Sequence, residues 1–205
     1  MALMTAAEAR LYLPSLTGTA LDADLVTLIA RFDAAAAEWC GFPEAPGGTV
    51  GAANTLESAS YVLYLDGPDP SDSALLWLGV WPVTASASIY SDAIREYGSD
   101  TLVASSDYTL HGSEGLVELS ADSGESWSTR RRAIKATITA GFSTVPSALK
   151  HATGLQVAHW FRNRGIIGQK SISQRGTSTT VQDLTLLPEV TQILQSYACP
   201  SGSIV

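Results

Sequence analysis

Apolar residues recur at steps of three and four near both ends of the chain and at steps of two through its middle, which predicts helices flanking a sheet. Thr5 and Glu8 stand at capping-box spacing, where hydroxyl and carboxylate each take a backbone N–H, so a short helix should run to about residue 13, before Pro14. Asp22 and Asp24 open a longer one in which Leu25, Leu28, Ile29, Phe32, Ala36 and Trp39 recur at helical spacing, and Gly41 stops it. Residues 43–59, rich in Gly and Pro, read as a linker. From 60 the period changes to two, and the candidate strands are 61–65, 74–78, 83–90, 107–110, 115–120 and 132–140, with turn residues between them. The last has the clearest pattern: Ile134, Ala136 and Ile138 alternate with Lys135, Thr137 and Thr139, as in a strand with one buried and one wet face.

Pro146 suits the first turn of a further helix, whose Leu149, Ala152, Leu155, Val157, Ala158, Trp160 and Phe161 cover more than one side and predict packing on two sides. Residues 168–183 are Ser, Thr, Gln and Gly with almost no apolar content, too little to offset the entropy of ordering alone. Pro188 then begins a short helix with Val190, Ile193, Leu194 and Tyr197 at i, i+3, i+4 and i+7, which must dock on something to persist. The expected fold is α+β, a helical bundle with an inserted small antiparallel sheet or barrel, and an extended C-terminal arm ending in a short helix. Its parts would be N-terminal helices at 1–42, the linker at 43–59, a β-rich region at 60–141, a central helix at 142–165 and a partner-docking arm at 166–205.

Composition bounds this picture without changing it. At 205 residues, 45% hydrophobic and 16% charged, the chain is expected to be one globular domain or a domain with an insertion, and no apolar run is long enough to cross a bilayer, so no membrane partner is expected. Its start has no basic stretch followed by an apolar one, and a secretory signal is not expected. Cys40 and Cys199 lie near opposite ends with no Cys-x-x-Cys pair, and read as two inert thiols of a protein made in the cytoplasm. Charge adds more. Residues 1–129 hold three bases and eighteen acids, a net of −15, whereas residues 130–205 hold nine bases and two acids, a net of +7. Such regions either neutralise each other within one domain or steer the chain onto its own copies or a complementary partner.

Catalytic constellations are missing. His151 and His159 are eight apart on one helix and cannot share a metal ion. Asp66, Asp69 and Asp72 share a loop that reads as a plain turn or a weak calcium site, without the ligand order of a helix-loop-helix calcium loop. No phosphate-binding Gly loop, nucleophile elbow or paired His-Glu zinc motif occurs, so neither an enzyme nor a cofactor or resident metal is expected. Trp77 and Trp81 are four apart and would share a face of an unbroken strand, as a stacking platform for sugars or bases or as sheet core. Arg130, Arg131 and Arg132 would pair with acids on both sides of a strand or form its solvated start.

Read in order, several short motifs resemble the head-tail connector family of tailed bacteriophages, the adaptor or head-completion proteins. They are Tyr64-Leu65-Asp66-Gly67, the step Trp81-Pro82-Val83-Thr84 into a strand ending near Ile89-Tyr90, and Asp107-Tyr108-Thr109-Leu110 followed by Gly115-Leu116-Val117-Glu118-Leu119. The C-terminal third resembles the family more closely, through Ala136 to Phe142, Val145-Pro146, the helix through Ala152 and Gln156, the polar loop at 171–180, and Leu187-Pro188-Glu189-Val190 with Leu194 and Tyr197. The acidic N-terminal region and the Gly/Pro linker depart from it. The resemblance implies a structural virion protein, made in the host cytoplasm, that forms a ring, usually of twelve subunits, beneath a portal protein and joins the head to the next neck or tail component. Viral DNA would pass through its channel without sequence-specific binding. Another neck or tail-completion protein, such as a stopper or terminator, and a carbohydrate-binding module on the central sheet are the rival readings. On the ring reading, Val190, Ile193, Leu194, Tyr197, Arg162, Arg164, Lys170 and Arg175 are expected to bind the partner, and Arg130, Arg131, Arg132 and Lys135 to lie at the subunit interface.

Overall fold

A computed structural model describes residues 2–43, 54–69, 74–164, 171–174, 177–180 and 185–199. The helices are α1 (Ala6–Arg10), α2 (Asp22–Cys40), α3 (Ser147–Asn163) and α4 (Pro188–Gln195). The strands are β1 (Ala59–Leu65), β2 (Leu75–Trp77), β3 (Val83–Ser91), β4 (Leu102–Val103), β5 (Tyr108–His111), β6 (Leu116–Leu119), β7 (Ile134–Ala140), β8 (Ser171–Gln174) and β9 (Thr177–Thr180). Helices and antiparallel sheets make the fold α+β, as the change of period predicts. The chain forms two compact units, Met1–Ala36 with Val145–Tyr197, and Ala37–Thr144 with Ala198–Val205.

The first unit is organised on α3. Its Leu149, Ala152, Thr153, Gly154, Gln156, Val157 and Ala158 are buried, which explains apolar residues on more than one side. Toward α1, the capping box forms as the spacing predicts, with Glu8 N–H donating to Thr5 Oγ1 at 3.2 Å and Thr5 N–H to Glu8 Oε2 at 2.7 Å. The same Glu8 carboxylate accepts from Lys150 Nζ on α3 at 2.8 Å. Gly154 lets Tyr12 lie on the bare α3 backbone, because a β-carbon there would fall 2.3 Å from the Tyr12 ring. Phe32 of α2 meets Trp160 edge to face at 6.4 Å between centroids.

The C-terminal segment differs from the extended arm that its polar composition suggested. Gln156 clamps the approach to α4, donating to Thr185 O at 3.2 Å and accepting from Leu187 N–H at 2.8 Å. Val190 and Leu194 are then fully buried in this unit, 0% exposed. Burying two such side chains contributes on the order of 2 kcal/mol each, enough to hold a helix that is marginal alone. The stretch expected as a polar loop contains β8 and β9, paired antiparallel with Ser171 opposite Thr180, because ladder hydrogen bonds use backbone groups that every polar residue carries.

The second unit holds two antiparallel sheets, one ordered β1-β7-β3-β4 and one ordered β2-β6-β5. Central β7 buries Ile134, Ala136, Ile138 and Ala140 and leaves Lys135, Thr137 and Thr139 half-exposed, the alternation that its sequence predicts. Opposite them lie buried Tyr61 and half-buried Leu63 of β1 and buried Ile89 of β3, so the inner faces of three strands make one core layer. Strand β4 has no sequence signal of its own: two residues suffice because they pair with Ile89 and Tyr90 at the end of a strand already fixed. The sheets meet where Val83 N–H donates to Gly112 O at 2.8 Å. Only glycine fits at 112, since a β-carbon would lie 2.1 Å from that Val83 carbonyl.

Candidate functional site

One row of side chains crosses the four-stranded sheet near the end of β3. Tyr64 of β1 stands opposite Lys135 of β7, Lys135 opposite Tyr90 of β3, and Tyr90 opposite Leu102 of β4. Residues directly opposite in antiparallel strands share a face, so these four line the side away from Ile134, Ala136 and Ile138. Tyr64 and Leu102 are 45% and 46% exposed, and Lys135 and Tyr90 are half-buried. The Lys135 ammonium lies 5.6 Å from the ring centroids of both Tyr90 and Tyr97, and the Arg132 guanidinium lies 5.4 Å from that of Tyr64. Tyr64 and Tyr97 pack 5.6 Å apart. Cation–π contacts at such exposed positions are worth about 0.5–1 kcal/mol each, so their main effect is to hold charge and ring in a fixed pattern.

Asp92, 4% exposed, shapes the loop that brings Tyr97 there. Its Oδ1 accepts from Ile94 N–H at 2.8 Å, and its Oδ2 accepts from Glu96 and Tyr97 N–H at 2.8 and 2.7 Å. Burial alone would raise its pKa, but the backbone N–H groups of Ile94, Tyr97, Glu96 and Arg95 together hold the carboxyl below the usual range. The converging donors curl the chain tightly enough that Arg95 and Tyr97 take left-handed backbone, φ 67 and 54, and Ile94 is left 68% exposed at the tip.

The arginine run sits beside this loop, in a turn. A strand was expected from residue 132, but β7 begins at Ile134 because side chains capture the Arg132 backbone: Asp66 Oδ1 accepts its N–H at 2.8 Å and Tyr97 Oη donates to its carbonyl at 2.6 Å. Arg132 consequently has φ 52. Arg130 and Arg131 are exposed, with no ion-pair partner among the described residues. Residues 37–144 contain five bases against fourteen acids, and all five, Arg95, Arg130, Arg131, Arg132 and Lys135, gather at this end of the sheet. Of the acids at this end, Asp66 and Asp92 are taken up by backbone donors, whereas Glu96 and Asp100 are exposed beside the bases. The turn carrying Glu114 backs onto Val83, and the Glu57 bridge to Phe142 follows the far end of β7, so these acids lie at the other end of the nine-residue β3, roughly 26 Å away.

Of the residues expected to bind a partner, Val190 and Leu194 are core residues of the first unit, and Ile193 and Tyr197 are half-buried. Helix periodicity identifies an apolar side but not what covers it, and here α3 does. Arg162 donates to Tyr12 O at 2.9 Å, and Arg164 lies 4.0 Å over the Phe161 ring and 3.4 Å from Asp24. Lys170 and Arg175 fall outside the described residues, as does Asp72 of the acidic loop. The expected interface residues Arg130, Arg131, Arg132 and Lys135 do lie together. Sequence reasoning missed Tyr64, Tyr90, Tyr97, Ile94 and Leu102. Alternation could have assigned Tyr64 and Lys135 to wet faces, but their adjacency is a matter of register between residues 71 positions apart.

The aromatic platform is not formed. β2 ends at Trp77, Gly79 turns the chain at φ 71, and Trp81 packs edge to face on Phe142 while its Nε1 donates to Ala198 O at 3.1 Å. Trp77 Nε1 is itself buried. Among the described residues no group of three or more His, Cys, Asp and Glu is placed to hold a metal ion, and no helix is long and apolar enough to cross a membrane.

The fold is similar to that of known structures. A chain from the neck of an empty GTA particle, computed with C6 symmetry, aligns over 95% of this chain and 89% of its own length, with TM-score 0.55 and 19% identity. A chain from the neck of a native GTA particle, computed with C12 symmetry, aligns over 86% of this chain and 82% of its own, with TM-score 0.51 and 18% identity. At this identity the likeness shows the fold. No protein-family model and no curated protein sequence matches the chain.

Proposed function

We propose that this protein is a structural subunit of the neck of a phage-like particle, assembling as a ring beneath a portal and leading DNA through its channel toward the next neck or tail component. The observation that carries the reading is the fold likeness to two neck chains, which align over 95% and 86% of this chain. The charge arrangement of the second unit supports it. A ring closes through a heterologous contact, in which one patch meets a different patch on the next copy. A basic, aromatic end on Arg95, Arg130, Arg131, Arg132 and Lys135, with Glu57 and Glu114 beyond the other end of β3, supplies unlike surfaces for such a contact. Twelve subunits is the number the resemblance favours, and the role is structural rather than catalytic.

The test is assembly. Purified protein, alone and mixed with its portal, is examined by electron microscopy and sedimentation, beside a variant carrying Arg130→Glu and Arg131→Glu. Rings from the native chain, lost or shifted to much lower salt in the variant, are the expected result; a native chain that stays monomeric with and without portal sinks the proposal. Duplex DNA binding at moderate salt that vanishes in the variant would instead assign the arginines to the DNA.

A further inference from the structure

Cys40 and Cys199 stand 159 positions apart in the sequence, and the second unit brings them together. The Cys199 N–H donates to the Cys40 carbonyl at 2.6 Å. A backbone N–H···O=C bond between two residues holds their Cα atoms within roughly 6.5 Å of each other, close enough for the ~4.4–6.8 Å that a disulfide spans. The Cys199 β-carbon lies beside the turn that ends α2, 3.6 Å from where a β-carbon on Gly41 would stand. The segment is also held from its other side, by Trp81 Nε1 on Ala198 O at 3.1 Å. Cys40 is buried and Cys199 half-buried, and the two are not bridged.

We propose that Cys40 and Cys199 are a latch, joined in an intramolecular disulfide when the protein meets a small-molecule disulfide oxidant, which fastens the C-terminal segment to the end of α2. The step balances as a thiol–disulfide exchange. The more accessible Cys199, as thiolate, attacks one sulfur of oxidised glutathione and expels one glutathione thiolate. Cys40, as thiolate, then attacks the Cys199 sulfur and expels the second. The two protons lost by the cysteines end on the two glutathione thiols. Burial pushes the Cys40 thiol up to about 12, the neighbouring Cys199 adding to the effect, and burial raises Cys199 as well. Closure is therefore slow at neutral pH and faster in alkali. It encloses residues 41–198 in a covalent loop. The inference stands apart from the proposed function, since it needs no assembly.

The full-length reduced protein is incubated with oxidised glutathione at pH 8.5, beside Cys40→Ser and Cys199→Ser variants, then unfolded and treated with iodoacetamide. The expected product is a monomer lighter by two hydrogens with no alkylated cysteine, whose Tm rises by about 5–10 °C and returns with reductant. Neither variant, checked for a native circular dichroism spectrum, should show that rise. Two alkylatable thiols after prolonged oxidation, a glutathione adduct that persists on Cys199, or a disulfide-linked dimer would each overturn the latch.

Discussion

The phenolic hydroxyl of Tyr97 donates a 2.6 Å hydrogen bond to the carbonyl of Arg132, and both residues are held in left-handed backbone, at φ 54 and 52. Non-glycine residues rarely adopt that conformation, at a cost of roughly 1–2 kcal/mol each. Two loops that are each strained alone thus hold each other in place, and between them they fix the basic and aromatic end of the sheet.

Replacing Tyr97 with Phe removes this bond while keeping the ring. The expected loss is about 1 kcal/mol, read as a lower urea midpoint with unchanged m-value. Arg130 and Arg131 would lose their fixed placement too, so the ring assembly proposed above should weaken in this variant.

Acid should loosen both units at identifiable carboxylates. Glu8 is held at a pKa of about 2, chiefly by the Lys150 hydrogen bond and then by the Thr5 donors. A carboxyl depressed by folding contributes stability that is complete above its unfolded value, near 4.5, and is lost as pH falls through the folded one. Both partners are more than a third exposed, so solvent and salt screen the pair and its contribution stays within about 1 kcal/mol. Glu8→Gln should flatten the decline between pH 4.5 and 2, measured by thermal unfolding in low salt.

Asp92 is lowered in the same direction, so its contribution is also present above the ordinary carboxylate range and lost below it. Asp92→Asn keeps an acceptor but puts an amide where Oδ1 or Oδ2 takes N–H donors. The expected outcome is a lower Tm at pH 7 and a smaller further drop toward pH 3 than in the native chain. Amide exchange of Ile94, Glu96 and Tyr97 should quicken together.

Gly154 lies inside α3, where exchanging Gly for Ala ordinarily stabilises a helix by up to about 1 kcal/mol. Here the added methyl would meet the Tyr12 ring at 2.3–2.6 Å. Gly154→Ala should therefore destabilise by about 1–3 kcal/mol, and combining it with Tyr12→Ala should cost less than the sum of the two single changes in urea titrations.

Leu194→Ala should cost about 2–5 kcal/mol, as for a fully buried leucine. Ile193→Ala, one position away and half-buried, should cost distinctly less. Aspartate at 194 is expected to unfold the first unit outright, so a lost partner contact in that variant would say nothing of docking.

Much of the fold was legible because local chemistry decides it. The Thr5–Glu8 spacing, the period of α2 and the alternation of β7 each specify an element whatever surrounds it, since caps and periodicity act over a few residues. Elements that depend on a distant partner were not legible. β4 exists because Tyr90 is there to pair with, and the Arg132 turn exists because Asp66 and Tyr97 reach it. Four of the five basic residues of the candidate surface, Arg130, Arg131, Arg132 and Lys135, could be named from their clustering, but not Arg95 or the tyrosines beside them.

By itself the sequence determined the helices and the strands β1 to β3 and β5 to β7, which face of each is apolar, and that the charge is unevenly divided, because these follow from side-chain identity and spacing. Only the tertiary structure decided what covers each face. It set α4 of the expected partner-docking arm against α3 with Val190 and Leu194 buried, gathered five bases at one sheet end, and set Cys199 against Cys40. Long-range pairing is fixed by the burial and register of the whole chain, and no local window of residues contains that information.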